Sequence, residues 1–129
     1  MEVVQKEIIW LVGTLEELKS FPEEVQDDIG YALQIAQEGE KHSDAKPLKG
    51  FGGAGVLEVV DDFDGETYRA VYTVKFSDAL YVLHVFQKKS RKGIKTNKHD
   101  VELVKQRLKR AAEIHAERIS ENEKRGETK

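Results

Sequence analysis

Between Lys88 and Lys98 the chain reads Lys-Lys-Ser-Arg-Lys-Gly-Ile-Lys-Thr-Asn-Lys, six cations in eleven residues with no acid among them. Lysine and arginine at that density suit one task, the holding of a polyanion, and a guanidinium can bind two phosphate oxygens at once. The net charge of the whole chain is -3, so these cations are concentrated rather than general. Residues 88–110 carry ten basic and two acidic groups, whereas residues 1–44 carry three basic and eleven acidic ones. The acidic part reads as a solvated scaffold and the basic part as an anion-binding surface. A second basic patch, Lys46 and Lys49, lies in the stretch Lys-Pro-Leu-Lys-Gly-Phe-Gly-Gly-Ala-Gly at 46–55, which holds four of the ten glycines. Such a loop can bring backbone N–H groups up to a phosphate. It fails as a dinucleotide fingerprint, because a strand pattern follows it and not a helix. Its ordinary reading is a turn whose glycines take positive φ. The two basic segments read as surfaces presented to RNA.

Other chemistries are excluded by composition. The chain has no cysteine, hence no disulfide framework and no thiolate metal site, and His42, His84, His99 and His115 lack ligand spacing. No cofactor is expected. The first ten residues alternate in polarity and carry Glu2 and Glu7, unlike a signal peptide. No apolar run approaches the roughly 20 residues of a membrane span. A soluble cytoplasmic protein without membrane contact is the expectation.

The elements that must position the cations follow from periodicity. Val3 to Val12 is β-branched and bulky and reads as a strand ended by Gly13. Thr14 with Glu17, and Ser20 with Glu23, have capping-box spacing, and Pro22 is tolerated in a first turn. These start a short helix and a second one from about Phe21 to Gly39, whose stripe is Val25, Ile29, Ala32, Leu33 and Ala36. Three strands are expected at Val56–Asp61, Glu66–Lys75 and Leu80–Lys89, the first two joined by an Asp64-Gly65 hairpin turn. In the second, Tyr68, Ala70, Tyr72 and Val74 share one face, with Arg69, Val71 and Thr73 on the other. Strict alternation in the third sets Leu80, Val82 and Phe86 against Tyr81, Leu83 and Val85, apolar on both faces as in a central strand. His84 sits inside that run and reads as a satisfied core histidine. Asn97 with Asp100 announces the last helix. Its stripe is Val101, Val104, Leu108, Ala111, His115 and Ile119, and Lys105, Arg107, Lys109 and Arg110 cover the remaining surface. The expected fold is α+β in the order β-α-α-β-β-β-α, mainly antiparallel, with a helical hairpin and a C-terminal helix. It forms one domain over residues 1–120, and the polar tail 121–129 is expected to fray.

Three stretches carry a family resemblance: Lys46-Pro47-Leu48-Lys49-Gly50; Tyr68-Arg69-Ala70-Val71-Tyr72; and Tyr81 to Ser90 with Lys95-Thr96. In this order they resemble the phage-derived, HigB-like branch of the RelE/ParE toxin superfamily over roughly residues 3–115. The resemblance implies a RelE-like fold and the toxin of a type II toxin-antitoxin system. It implies a metal-independent endoribonuclease, an mRNA interferase that cuts mRNA on the ribosome and is neutralised by a helix-turn-helix antitoxin. In such cleavage the RNA 2′-OH attacks the adjacent phosphate. Cations must stabilise the developing charge, and an acid must protonate the leaving oxygen. Mapped onto this chain, the resemblance assigns catalytic roles to Arg69, Lys88 and Lys89, with His84 a further candidate. Lys46, Lys49, Arg91, Lys92, Lys95 and Lys98 are the RNA-binding candidates, and His99 is the nearest candidate acid. The chain departs from the pattern at Glu58 and Val60, followed by Asp61 and Asp62, where RelE-like nucleases often carry cations. Two alternatives therefore stay open: a ParE-like toxin directed at gyrase, and a degenerate, non-catalytic toxin that binds nucleic acid or a partner.

Overall fold

The computed structural model describes residues 5–53, 55–88 and 96–127. Its elements are β1 (Glu7–Trp10), α1 (Thr14–Lys19), α2 (Glu23–Gln37), β2 (Ala45–Pro47), β3 (Val56–Phe63), β4 (Glu66–Thr73), β5 (Ala79–Lys88) and α3 (Lys98–Glu127). The five strands form one sheet in the order β1-β5-β4-β3-β2. β1 runs parallel to β5, and the other neighbouring pairs are antiparallel. The architecture is the expected α+β one with one strand added. Ala45–Pro47 pairs with β3 as an edge strand, where a proline without an N–H is tolerated.

Local chemistry explains most boundaries. The β3–β4 hairpin closes with Phe63 opposite Glu66, and Asp64 and Gly65 both have positive φ (51° and 79°), the type I′ geometry that Asp-Gly favours. At Gly55 φ is 65°, and a Cβ there would lie 3.2 Å from the Lys75 backbone nitrogen, so a larger residue is strained twice over. Asn97 caps α3 as expected, its side-chain oxygen accepting from the Asp100 N–H at 2.9 Å. The two capping boxes do not form. The Thr14 hydroxyl donates to the Leu11 carbonyl at 2.7 Å, and the Ser20 hydroxyl to the Glu17 carbonyl at 2.6 Å. Both side chains thus satisfy acceptors behind them rather than N–H groups ahead. Pro22, with φ -53° and ψ 146°, is the residue before α2, which therefore starts at Glu23. α3 extends through Ser120 to Glu127, a stretch rich in Glu, Lys and Arg, all good helix formers.

The sheet is covered on both faces. The α1–α2 hairpin buries Leu18, Phe21, Val25, Ile29, Ala32, Leu33 and Ala36 against Tyr68, Ala70, Tyr72, Leu80 and Val82. α3 covers the opposite face, where Val104 and Ala111 pack on Val71, Tyr81, Leu83 and Phe86. Each fully buried aliphatic or aromatic side chain contributes about 1.5–3 kcal/mol. Ile119, the last member of the expected stripe, is exposed.

One irregularity changes which side chains meet α3. Val71 pairs with His84 but Tyr72 pairs with Val82, so β5 carries Leu83 as an extra residue. A bulge of one residue reverses the alternation beyond it. Val85 accordingly joins Leu80 and Val82 under the helical hairpin, and Phe86 joins Tyr81 and Leu83 under α3. The faces expected for Val85 and Phe86 from strict alternation are exchanged. His84, being the partner of Val71, turns to α3 as well.

Candidate nucleic-acid interface

The α3 side of the sheet gathers the chemistry. Arg69 lies opposite Phe86, Glu58 opposite Val71, and Lys46 opposite Glu58. Directly paired residues share a face, so Lys46, Glu58, Arg69, His84 and Phe86 all point toward the helix. Thr96 and Asp100, at the start of α3, bond to Arg69, Glu58 and His84. Two polar networks result.

The first network is buried. Arg69 Nη1 donates to Glu58 Oε1 at 3.1 Å and to Thr96 Oγ1 at 3.2 Å, and the Thr96 hydroxyl donates to Glu58 Oε2. Val60 is directly opposite Arg69, so Glu58, two residues away, is its diagonal neighbour on the same face. The departure noted at Glu58 thus has a structural role, since its carboxylate neutralises Arg69. The Arg69 side chain is 2% exposed and that of Glu58 10%. A buried pair of this kind stabilises little relative to apolar residues, but removing one partner strands the other charge at a cost of about 3–5 kcal/mol.

The second network centres on Asp100. His84 Nε2 lies 2.9 Å from Asp100 Oδ1, and Lys88 Nζ lies 3.7 Å from Asp100 Oδ2. Arg107 Nη1 lies 3.2 Å from His84 Nδ1 and also donates to the Leu83 carbonyl at 2.9 Å. A neutral imidazole with its proton on Nε2 satisfies both contacts, donating to the carboxylate and accepting from the guanidinium. Burial pushes the His84 pKa below the usual histidine range. The Asp100 hydrogen bond works against that shift, Arg107 reinforces it, and the Asp100 and Glu17 charges oppose it. His84 stacks on Phe86 with ring centroids 4.3 Å apart, and Lys88 Nζ stands 5.9 Å from the centre of the Phe86 ring.

Around these networks lie the accessible cations. Lys46, Lys49 and Lys98 are exposed, and Lys88 keeps 14% of its side-chain surface. Leu48 and Phe51 pack into the core beneath α3, and a Cβ on Gly50 would meet Val101 at 4.0 Å. The glycine-rich loop is therefore anchored beside the first turn of α3, and with it Lys49. Lys89, Arg91, Lys92 and Lys95 lie outside the described residues, in the segment that joins Lys88 to Thr96. The buried networks hold both described ends of that segment, Lys88 through Asp100 and Thr96 through Glu58 and Arg69. His99 is exposed on the first turn of α3.

Four participants were not legible as such. Glu58 stood out only as a missing cation, Thr96 only as part of a motif, Asp100 only as a capping partner and Arg107 only as surface charge. Each depends on strand register or on the placement of α3, which spacing alone does not reveal. Among the described residues no group of three or more His, Asp or Glu side chains is placed to hold a metal ion, and no helix is long and apolar enough to cross a membrane.

A solved structure titled as the toxin-antitoxin complex RelBE2 from Mycobacterium tuberculosis aligns with a TM-score of 0.46 and 17% identity, covering 69% of this chain and 98% of that one. No curated protein matches the chain. The model of the family described as "Phage derived protein Gp49-like" matches residues 16–109, from α1 through the first turns of α3. That span contains the basic loop, both buried networks and Arg107, and by this match the chain belongs to the Gp49-like family of phage-derived proteins.

Proposed function

We propose that this protein is a RelE-type toxin that engages mRNA on the ribosome and cuts it without a metal, paired with a helix-turn-helix antitoxin. The observation that carries the reading is the grouping of Lys46, Lys49, Lys88 and Lys98 around the start of α3, with the cation-rich stretch 89–95 following Lys88 in the sequence. The toxin motifs noted above support it. In this reading the lysines hold the phosphates on either side of the scissile bond, and Lys88 with Lys89 stabilises the charge of the five-coordinate phosphorus. Arg69 enters the chemistry only by leaving Glu58. In the resting arrangement it orders Thr96 and hence the end of the basic segment. His84 acts on the position of Lys88 through Asp100, since both of its ring nitrogens are engaged.

That last observation favours a second reading, a protein that binds RNA without cutting it. Neither His84 nitrogen is open to move a proton, and Arg69 is neutralised. A translation extract charged with a defined mRNA separates the two. Added protein should produce discrete cuts, mapped by primer extension, and Lys88→Ala/Lys89→Ala should abolish them while the protein stays folded. Translation arrest with intact transcript favours the second reading. Translation that proceeds unhindered, or gyrase-linked DNA damage on induction in cells, contradicts both.

A further inference from the structure

A cavity of about 310 Å³ opens beside the second network, between the turn that joins β1 to α1 and the bulged part of β5. Val12, Thr14, Glu17, His84, Phe86 and Arg107 line it. Its walls combine four features that recur where a planar, hydrogen-bonding ring is held. Phe86 and His84 form a stacked aromatic pair. Val12 is an apolar side chain left 92% exposed at the rim. Arg107 is partly buried, and burial pushes its pKa down. Its hydrogen bonds go to the Leu83 carbonyl and the His84 imidazole, and among the described residues no carboxylate pairs with it. A guanidinium set into protein without a counter-charge retains donors for an acceptor that arrives from outside. Glu17, exposed on α1, supplies an acceptor across the same opening.

Donor and acceptor on two walls of an aromatic-lined cavity match one nucleobase better than the others. Guanine offers O6 and N7 to an arginine fork, and N1–H and N2–H to a carboxylate. Adenine reverses the first of these edges by placing an amino group where guanine has O6. Single-stranded RNA is read in this way, by bases turned out onto aromatic faces and hydrogen-bonded at their edges. The cavity shares Phe86 with the Lys88 contact, so a strand whose phosphate rests on Lys88 can turn a neighbouring base into it. We propose that this cavity is a subsite for one unpaired guanine of the bound RNA, with Arg107 and Glu17 as the specificity-determining residues. The proposal rests on the RNA-binding reading above and adds to it a base preference.

The test uses the full chain and 2′-O-methylated uridine hexamers, which cannot be cut, with one central guanosine, one central adenosine, or neither. Affinities are read by fluorescence anisotropy. The guanosine hexamer should bind roughly tenfold more tightly than the adenosine one, the scale of a good two-point base contact. Glu17→Gln, at an exposed position on α1, should erase that preference, the guanosine and adenosine hexamers then binding alike. Arg107→Lys, which keeps the charge and loses the fork, should erase it too. Equal affinity for the guanosine and adenosine hexamers, or a preference that survives Glu17→Gln, overturns the subsite alone, provided that binding still weakens steeply with salt. Failure of all three hexamers to bind at low salt overturns both the subsite and the RNA-binding reading.

Discussion

At the scale of single residues, the buried arginine decides how this surface works. Arg69 stood out in the sequence because its motif resembles a phosphate-binding position, and it does sit on the sheet face that carries the other cations. Its partner could not be read, because the diagonal relation to Glu58 exists only in the observed β3–β4 register. Arg69→Ala should therefore act first on stability, costing about 3–5 kcal/mol by stranding the Glu58 carboxylate. Arg69→Met/Glu58→Leu should recover most of that loss in thermal or urea unfolding. A full-strength single variant would show that the pair is not what holds this region. His84 gives a pH signature. Its pKa is lowered in the folded protein, mainly by burial, so the unfolded chain takes up a proton first as pH falls. The contribution of a neutral His84 is complete above the ordinary histidine range, near 6.5, and is lost as pH drops through and below it. The groups that face it are Asp100 and Arg107 on α3 and Glu17 on α1. Unfolding free energies measured from about pH 8 to 5 should fall less steeply in His84→Gln than in the parent. Tyr72 is a third case. Its hydroxyl is buried without a hydrogen-bond partner among the described residues, and burial has pushed its pKa up to about 12. Tyr72→Phe should leave stability unchanged or raise it by up to about 1 kcal/mol, since it removes a polar group that already forgoes water.

At the scale of elements, most of the architecture was legible. Apolar stripes marked α2 and α3, the Asp-Gly turn marked the β3–β4 hairpin, and Asn97 marked the start of α3. The features that were missed are non-local. β2 became a strand because β3 offered it an edge, although its own three residues include a proline. The bulge at Leu83 leaves no sign in an apolar run that is buried on both faces, yet it decides that Phe86 and His84 point to α3. Thr14 and Ser20 have the right spacing for caps but bond backward to carbonyls, a choice between two local hydrogen bonds that spacing does not settle. Asn97→Ala should cost about 1 kcal/mol, the usual worth of an N-cap. Because α3 begins where the basic segment ends, the same substitution should also raise amide exchange in its first turn. Gly55→Ala should cost more than the roughly 1 kcal/mol of an ordinary backbone effect, since positive φ and the Lys75 backbone oppose it together. Chemical denaturation of the two variants would rank them.

At the scale of the molecule, the acidic and basic halves of the sequence become separate surfaces of one fold. The α1–α2 hairpin places six carboxylates and one lysine on one side of the sheet, and the basic rim surrounds the start of α3 on the other. Such an asymmetry steers a polyanion to one face despite a net charge of -3. On the proposed reading, RNA binding falls to the exposed lysines of the rim and not to Arg69, which Glu58 neutralises. The salt dependence of binding to a single-stranded RNA tests this most directly. Log affinity should fall linearly with log salt. Lys46→Ala/Lys49→Ala/Lys98→Ala should make that slope shallower by about 2, since each phosphate neutralised on a single strand adds about 0.7 to it. A slope that the triple variant leaves unchanged would contradict the assignment of RNA to this face.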